Sequence, residues 1–402
     1  MKSKKRKPAR SRITVLQQVC KLIPGHLVKK IAKETGAESK ARTFSSWSHV
    51  VSMLYAQITR SIGLNDVCDS LQIHSGTLSA IRGATPPSRN GLSHANKSRT
   101  ADMAEKLFWT MTDHLTNSFP QFAQGRMPRG LGRFKRRINI IDSTTIELVA
   151  NCMDWAKHRR RKAAAKTHMR LDMESLLPRF AIVDSAKHND NLRARELCAG
   201  LLDGEIVIFD RAYNDFDHLK DLDDRGVQWV GREKKGTACE VINTMEVSGD
   251  IVADDWIVLN NEMVVRRVTA WVEVDGKRKL FSFLSNNRQW SARSICDLYK
   301  ARWQIEVFFK QIKQTLKLTD FLGHSANAVR WQVWTALLVY VLLRFLSRMS
   351  SWTHSFTRIF AVVRASLWQR MDLLGFLQSL CGTAGGSFRN LARPEQAYFP
   401  GF

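Results

Sequence analysis

The chain has 402 residues, and its 62 Lys and Arg against 37 Asp and Glu leave a formal net charge of +25, with seven basic residues in the stretch 2–12. Such a basic surface attracts polyanions, so a phosphate backbone is the expected partner, with an anionic membrane surface as a minor alternative. Seven cysteines without a Cys-x-x-Cys pair argue against a disulfide framework and a zinc site. The N-terminus lacks the apolar stretch of a signal peptide, and the apolar run Val333–Leu343 is too short to span a bilayer.

Short helices are predicted for residues 13–84. Within them, Asn65–Leu71 and Gly76–Arg82 fit a helix-turn-helix, with Ser75 as N-cap of the second helix. Packing of three helices without DNA contact is an alternative of nearly equal weight. The surrounding positive charge favours DNA.

The next segment of the chain has the composition of a loop. Residues 83–98 are rich in Gly, Pro, Ser and Asn, which predicts a linker, and a helix is expected from about residue 99 to residue 115. Residues 126–137 are again strongly basic. We expect residues 1–135 to comprise a basic tail and a helical DNA-binding domain with its linker.

Strand periodicity begins at residue 138. Apolar side chains alternate over residues 138–148, and Asp142 lies on the same face as the isoleucines. Residues 178–185 form a second strand candidate, residues 190–202 a helix, and the next apolar strand has Asp210 at its carboxyl end. This order of strand, strand, helix and strand indicates an α/β layer.

Residues 226–286 contain several strand candidates, and Asp275-Gly276 predicts a two-residue hairpin turn between the last two. We interpret the segment as a β-rich insertion. Beyond it, residues 326–348 and about 355–379 predict long apolar helices, and the glycines of residues 382–386 predict a loose end.

One further helix is predicted over residues 299–313. At 100° per residue, four polar side chains fall within an arc of about 60°. These are Tyr299, Arg302, Glu306 and Lys313. A separate arc is apolar and predicts a buried face. It consists of Leu298, Ile305, Phe309, Ile312 and Leu316. A solvated charge stripe is the alternative for the polar arc.

A carboxylate on an apolar strand face needs a partner that offsets its desolvation, and a divalent metal is one such partner. Asp142, Asp210 and Glu306 would supply three hard oxygen ligands from separate elements, which suits Mg²⁺. Two ions could serve phosphodiester chemistry. For each carboxylate alone, an ion pair with an arginine is the alternative, and for Asp210 the neighbouring Arg211 makes it the stronger one.

These residues also carry a resemblance. The spacing Tyr-x2-Arg-x3-Glu-x6-Lys is matched without a gap by Tyr299, Arg302, Glu306 and Lys313. Asp142 begins Asp-Ser-Thr, and Asp210 begins Asp-Arg-Ala-Tyr, with Ala212 where the family has Gly. Over about residues 138–320 the chain therefore resembles the DDE transposases of insertion sequences, specifically the insertion-sequence four family.

The resemblance implies an α/β fold: an RNase H-like catalytic core at residues 136–322, with the β-rich insertion at 226–286, and a C-terminal helical region at 323–402. It implies that Asp142, Asp210 and Glu306 are catalytic metal ligands. It also implies that DNA phosphates are bound by Tyr299, Arg302 and Lys313, and we add Arg211 to that set.

The implied partner is double-stranded DNA, as element ends and as target. The implied reaction is binding of terminal inverted repeats, metal-dependent cleavage at the element ends, and transfer of the 3′-hydroxyl ends into target DNA. Two Mg²⁺ ions, replaceable by Mn²⁺, a homodimer and a location at the nucleoid of a bacterial cytoplasm follow from the same resemblance. Relatives that form a DNA hairpin use an insertion tryptophan, but for Trp229, Trp256 and Trp271 a core role is favoured. His168 and His188 could assist proton transfer, although a structural role is favoured.

Three alternatives stay open at this point. A metal-dependent nuclease without strand transfer needs the same three carboxylates. A tyrosine recombinase would use Tyr299 as a covalent nucleophile and would work in EDTA. A non-catalytic DNA-binding transposase remnant needs only the helix-turn-helix and the charge, and the intact carboxylates argue against it.

Overall fold

The computed structural model describes residues 10–38, 44–125, 127–148, 157–159, 162–185, 190–274, 276–316, 318 and 321–379. In chain order the α-helices are α1 (Val15–Lys21), α2 (Leu27–Glu34), α3 (Ser46–Thr59), α4 (Leu64–Ile73), α5 (Ser75–Ser79), α6 (Arg89–Ser98), α7 (Asp102–Ser118), α8 (Asp190–Cys198), α9 (Phe216–Asp224), α10 (Ala292–Ala301), α11 (Trp303–Lys310), α12 (Ala326–Met349), α13 (Phe356–Ser366) and α14 (Leu373–Ser379). The strands are β1 (Ile138–Leu148), β2 (Lys157–Arg159), β3 (Lys162–Asp172), β4 (Pro178–Ser185), β5 (Ile206–Phe209), β6 (Gln228–Arg232), β7 (Cys239–Thr244), β8 (Ile251–Leu259), β9 (Val264–Val274) and β10 (Lys277–Ser285).

The chain divides into two compact units. The first contains the chain up to Phe122, the segment Ile146–Ala164 and the chain from Lys310 onward. The second contains Ala123–Thr145 and Ala165–Phe309. The division of the chain into three functional domains stays a prediction.

In the first unit, α12 is the central helix and packs against α3, α6, α7 and α13. It has 24 residues, and an 18-residue window with mean hydropathy 1.3 makes it long and apolar enough to cross a membrane. The run Val333–Leu343 is thus the most apolar part of a longer helix, and that helix agrees with the one predicted over residues 326–348. Neighbouring helices bury 89% of the window, as expected for the core helix of a globular unit.

Two predictions for the N-terminal part were wrong. Ser75 is the first residue of α5 rather than its N-cap, which is His74, and α5 ends after five residues. Part of the expected linker is helical, since α6 starts after Ser88, whose side chain accepts a hydrogen bond from the backbone N–H of Gly91. The predicted helix near residues 99–115 corresponds to α7 and is confirmed. DNA contact by this region stays a prediction.

The described strands form one ten-stranded sheet in the order β2-β3-β1-β5-β6-β10-β9-β8-β7, with β4 paired to β3. β1, β5 and β6 are parallel, and β6, β10, β9, β8 and β7 continue as antiparallel neighbours. The β-rich insertion is confirmed as strands, but it extends the sheet that contains β1 and β5 rather than forming a sheet of its own. Gly276 has φ +70°, as the predicted hairpin turn requires. Asp275 and residues 382–386 lie outside the described residues.

Helices cover both faces of the sheet in the second unit. Leu284 packs into an apolar core with residues of α8 and α9, and that core includes the fully buried Trp229. The ring of Phe283 instead contacts Tyr299 of α10, with 4.7 Å between ring centroids. Because successive residues of a strand point to opposite faces, α10 lies on the face away from α8 and α9.

The helix predicted over residues 299–313 is broken in the structure. α10 ends at Ala301, Arg302 forms the junction, α11 follows, and Gln311–Thr315 form a π-helical turn. At the junction, the N–H of Arg302 bonds to the carbonyl of Tyr299 and the N–H of Ile305 to that of Arg302, which is the tighter i+3 pattern. The predicted apolar arc is buried throughout, as expected.

The cysteines were predicted to be reduced thiols. The cysteines within the described residues are free thiols. They are Cys20, Cys68, Cys198, Cys239 and Cys296.

Candidate active site

Two of the predicted carboxylates lie side by side at the edge of the parallel strands. In the register of β1 and β5, Ile141 is opposite Phe209, so that the next residues along the chain, Asp142 and Asp210, are neighbours. Because side chains alternate between the two faces along a strand, both aspartates lie on the face of the sheet that α10 covers. The carboxyl end of parallel strands is where open α/β sheets present functional groups.

The junction of α10 and α11 brings the other predicted residues to these aspartates. The Arg302 guanidinium donates from Nη1 to Oδ2 of Asp142 at 2.6 Å and from Nη2 to Oε1 of Glu306 at 2.5 Å. The Tyr299 hydroxyl donates to Oδ1 of Asp210 at 2.9 Å. All three carboxylates are thus held by two side chains of the Tyr-Arg-Glu-Lys signature.

Contacts with the backbone and with a neighbouring ring fix the site further. Oδ1 of Asp142 accepts the backbone N–H of Ser143 at 2.8 Å. The ring of Tyr299 packs on Phe283, and the Arg302 guanidinium lies 5.7 Å from the centroid of the Tyr299 ring. Phe283 was not predicted to belong to the site, because its contact depends on strand pairing that the local sequence does not reveal.

The electrostatics reflect crowding of negative charge. Burial raises the pKa of Asp142 to about 6; Arg302 and the N–H of Ser143 oppose this rise, and Glu306 and Asp210 add to it. For Arg302, burial lowers the pKa, but Asp142, Tyr299, Glu306 and Asp210 outweigh it and leave the pKa raised. Burial is also the main reason why the pKa of Tyr299 is raised.

The chemistry of these donors suits a divalent cation. Asp142, Asp210 and Glu306 offer only oxygen atoms, and their mutual repulsion is the kind that Mg²⁺ relieves. As arranged, however, no three His, Cys, Asp or Glu side chains in the described part of the chain are disposed to hold a metal together. Arg302 lies between two of the expected ligands, so a metal could use all three only after the guanidinium moves.

Other predicted residues lie at varying positions. Arg211 and Ala212 are exposed in the 3₁₀ turn after Asp210, and Ala212 does not have a positive φ, so the family's Gly is not required there. The alternative for Asp210 was an ion pair with Arg211. In the structure its carboxylate instead accepts a hydrogen bond from the Tyr299 hydroxyl. Lys313 lies in the first unit, where burial lowers its pKa and Glu147 opposes that change.

The remaining candidates divide by burial. Trp229 is a core residue, as expected, whereas Trp271 is 42% exposed. His168 is buried and lies 3.4 Å from the Tyr213 hydroxyl, which supports a structural role. His188 lies outside the described residues.

Comparison with known proteins decides the family. The profile of the transposase DDE domain matches residues 133–342, a range that contains every predicted site residue. The chain belongs to the DDE transposase family. A second profile, a domain of unknown function, matches residues 11–81.

Individual relatives agree. The chain is 31% identical over 299 residues to transposase y4zB of Sinorhizobium fredii, covering 71% of this chain and 79% of the relative. It is 25% identical over 188 residues to transposase InsG for insertion sequence element IS4 of Escherichia coli, covering 44% and 42%. A solved piggyBac transposase synaptic complex with hairpin DNA has a TM-score of 0.45 at 11% identity, covering 90% of this chain and 83% of the other.

The transposase is therefore of the insertion-sequence four type, with an RNase H-like core, and is an enzyme of DNA transposition. DNA is its partner, and transposase DDE domains generally depend on divalent metal ions. The predicted family and fold class are confirmed.

Proposed function

We propose that this transposase moves its element by a cut-and-paste reaction. It binds terminal inverted repeats, cleaves the DNA at the element ends, and transfers the 3′-hydroxyl ends into target DNA. The observation that carries the proposal is the convergence of Asp142, Asp210 and Glu306 on Tyr299 and Arg302. We expect a homodimer, since two element ends need two active sites, and a location at the bacterial nucleoid.

Asp142, Asp210 and Glu306 would hold the metal. Two Mg²⁺ ions, or Mn²⁺ in their place, would activate the attacking oxygen and stabilise the leaving one. The chain's own residues then position the DNA. The planar guanidinium of Arg302 suits two oxygens of one phosphate. The ammonium group of Lys313 and the guanidinium of Arg211 would bind further phosphates of the DNA backbone.

The geometry argues against a tyrosine recombinase. A nucleophilic Tyr299 would need its hydroxyl free and readily ionised. Instead the hydroxyl donates to Asp210, and its pKa is raised by burial. Tyr299 is better suited to hold Asp210 in position.

The test is strand cleavage and joining on a labelled duplex from the DNA that flanks this chain's gene, in Mg²⁺ or in EDTA. Wild type is compared with Asp142→Ala and with the control Asp297→Asn, which also removes one carboxylate charge, on α10 at a residue that pairs with Arg133 at 2.9 Å. We expect metal-dependent nicking at a defined end and joining to plasmid. Both should be lost in Asp142→Ala and kept in Asp297→Asn.

Other outcomes discriminate among the alternatives. Cutting without joining would favour the nuclease, and binding without cutting would favour the remnant. Glu306→Gln should abolish cleavage and leave DNA binding nearly unchanged, because a metal ligand is lost while the basic surface stays. Equal loss of binding would show that the carboxylate is structural.

A further inference from the structure

Arg302 occupies the place of a cation. Its guanidinium bridges Asp142 and Glu306, with exposed side-chain fractions of 14%, 18% and 34% for the arginine, the aspartate and the glutamate. A carboxylate oxygen that accepts an Arg hydrogen bond at about 2.6 Å is not free to ligate a metal through the same lone pairs. Arg302 therefore offsets part of the negative charge of the carboxylates from within the site.

Arg302 also retains an unused donor. Its Nε is buried and has no hydrogen-bond partner among the described residues. A guanidinium binds a phosphate best through two parallel N–H groups, and Nε with one Nη forms such a pair. A DNA phosphate would thus satisfy a donor that the two carboxylates leave unsatisfied.

We propose that Arg302 is a displaceable internal counter-ion that couples metal binding to DNA binding. Without DNA it stays between Asp142 and Glu306 and competes with the metal. A phosphate near the scissile bond draws the guanidinium away, and the carboxylates become available to a divalent cation. This inference rests on the proposed metal site and assigns Arg302 a positioning role beyond phosphate contact.

The coupling has to be reciprocal. If DNA raises the affinity for metal by some factor, metal raises the affinity for DNA by the same factor, typically about 5–150-fold. The transposase would then bind metal mainly when DNA already occupies the site. Little of the free enzyme would carry metal before it meets DNA.

The test measures Ca²⁺ binding by isothermal titration calorimetry, with and without the flanking-DNA duplex. The proteins are wild type, Arg302→Gln, Arg302→Lys and the control Arg232→Gln. Arg232 lies in the same unit, but its guanidinium packs 3.9 Å from the centroid of the Phe281 ring. The control therefore removes the same charge from a side chain that acts electrostatically on Tyr299 but does not bridge Asp142 and Glu306.

Without DNA, we expect Arg302→Gln to bind Ca²⁺ about tenfold more tightly than wild type, and Arg232→Gln to bind like wild type. The duplex should raise the wild-type affinity by about tenfold and that of Arg302→Gln by clearly less. Arg302→Lys should lie between the two, because an ammonium group is a point charge without the planar fork of the guanidinium. It also serves as the test if Arg302→Gln fails to fold, as judged by circular dichroism.

Two results would overturn the inference. One is equal Ca²⁺ affinity of wild type and the Arg302 variants without DNA, and the other is an equal gain from DNA in all of them. Either would leave Arg302 a structural bridge while the metal site stands. Absence of Ca²⁺ binding in every protein, with and without DNA, would instead remove the proposed metal site and this inference with it.

Discussion

At the scale of single residues, Asp142 is the group whose protonation should be visible in activity. Burial raises its pKa to about 6, and Glu306 and Asp210 add to that shift. The protonated form dominates below that pH, and it neither ligates a metal well nor pairs with Arg302. We expect the cleavage rate at limiting Mg²⁺ to rise about tenfold per pH unit below pH 6 and to level off above it.

The metal concentration provides the check. A cation that binds the ionised form lowers the apparent pKa of Asp142. The midpoint of the pH profile should therefore move to lower pH as Mg²⁺ is raised, and DNA binding at constant salt should not follow the same curve. A midpoint near the ordinary value of Asp at every Mg²⁺ concentration would contradict the assignment.

At the scale of elements, local patterns predicted what depends on local residues. β1, β4 and β5 were predicted because apolar residues dominate or alternate within them. Asp142 was predicted within β1 and Asp210 at the carboxyl end of β5, and both lie there. β3 was missed: its sequence KAAAKTHMRLD is as polar as a surface segment. Thr167, His168, Arg170 and Asp172 are nevertheless buried, and since successive residues point to opposite faces, both faces of β3 are covered.

The break at Arg302 was also beyond sequence reasoning. No Gly or Pro marks it, and the arc of four polar side chains assumed a straight helix. One of the two ion pairs of Arg302 reaches Asp142, on a strand 160 residues earlier in the chain, so the local sequence does not specify it; the other is the local pair with Glu306. The residues of the site were predictable from their types and spacing, whereas their mutual bonding was not.

Strand β6 offers a test of how tightly the sheet positions Asp210. Gly231 is opposite Phe209, and a Cβ at Gly231 would lie 2.6 Å from Phe209 Cε2 and 2.8 Å from Asn214 Oδ1. We expect Gly231→Ala to lower the free energy of unfolding by about 1–3 kcal/mol, as measured by urea titration. Cleavage should fall as well, because Phe209 directly precedes Asp210.

The control for this change is Gly132→Ala, where an added Cβ meets nothing within 4 Å. It should leave both the urea midpoint and cleavage unchanged. If Gly231→Ala behaves like Gly132→Ala, the packing around Phe209 is looser than the structure indicates.

At the scale of the whole molecule, the first unit contains a buried histidine that should make stability depend on pH. Burial lowers the pKa of His49 to about 3; the hydrogen bond to Asn96 opposes the shift, and Arg99 adds to it. Nε2 of His49 lies 2.8 Å from Oδ1 of Asn96, and its ring packs on Trp331. The folded chain therefore holds this side chain neutral.

The direction of the pH dependence follows from the different proton binding of the folded and unfolded chains. Below pH 6.5 the unfolded chain binds a proton at His49 that the folded chain does not, so stability is fully present above that pH and is lost as pH falls toward 3. The loss should be about 1.4 kcal/mol per pH unit, or about 2 kcal/mol at pH 5. Urea unfolding of wild type and His49→Gln at pH 7 and pH 5 checks this, and equal pH dependence in both would contradict it.

The net charge of +25 should govern how the whole molecule binds DNA. Each phosphate neutralised by Lys or Arg releases counterions, so that the logarithm of affinity falls by about 0.9 per contact for each tenfold rise in salt. The N-terminal cluster Lys4, Lys5, Arg6 and Lys7 supplies part of this charge. If all four side chains contact phosphate, changing them to Gln should reduce the slope by about 3.6.

Filter binding between low and moderate salt measures the slope. Cleavage at saturating DNA and low salt should stay near wild type, because none of the four residues belongs to the carboxylate site. An unchanged slope would mean that these four side chains make no phosphate contact and that DNA is held by other basic residues.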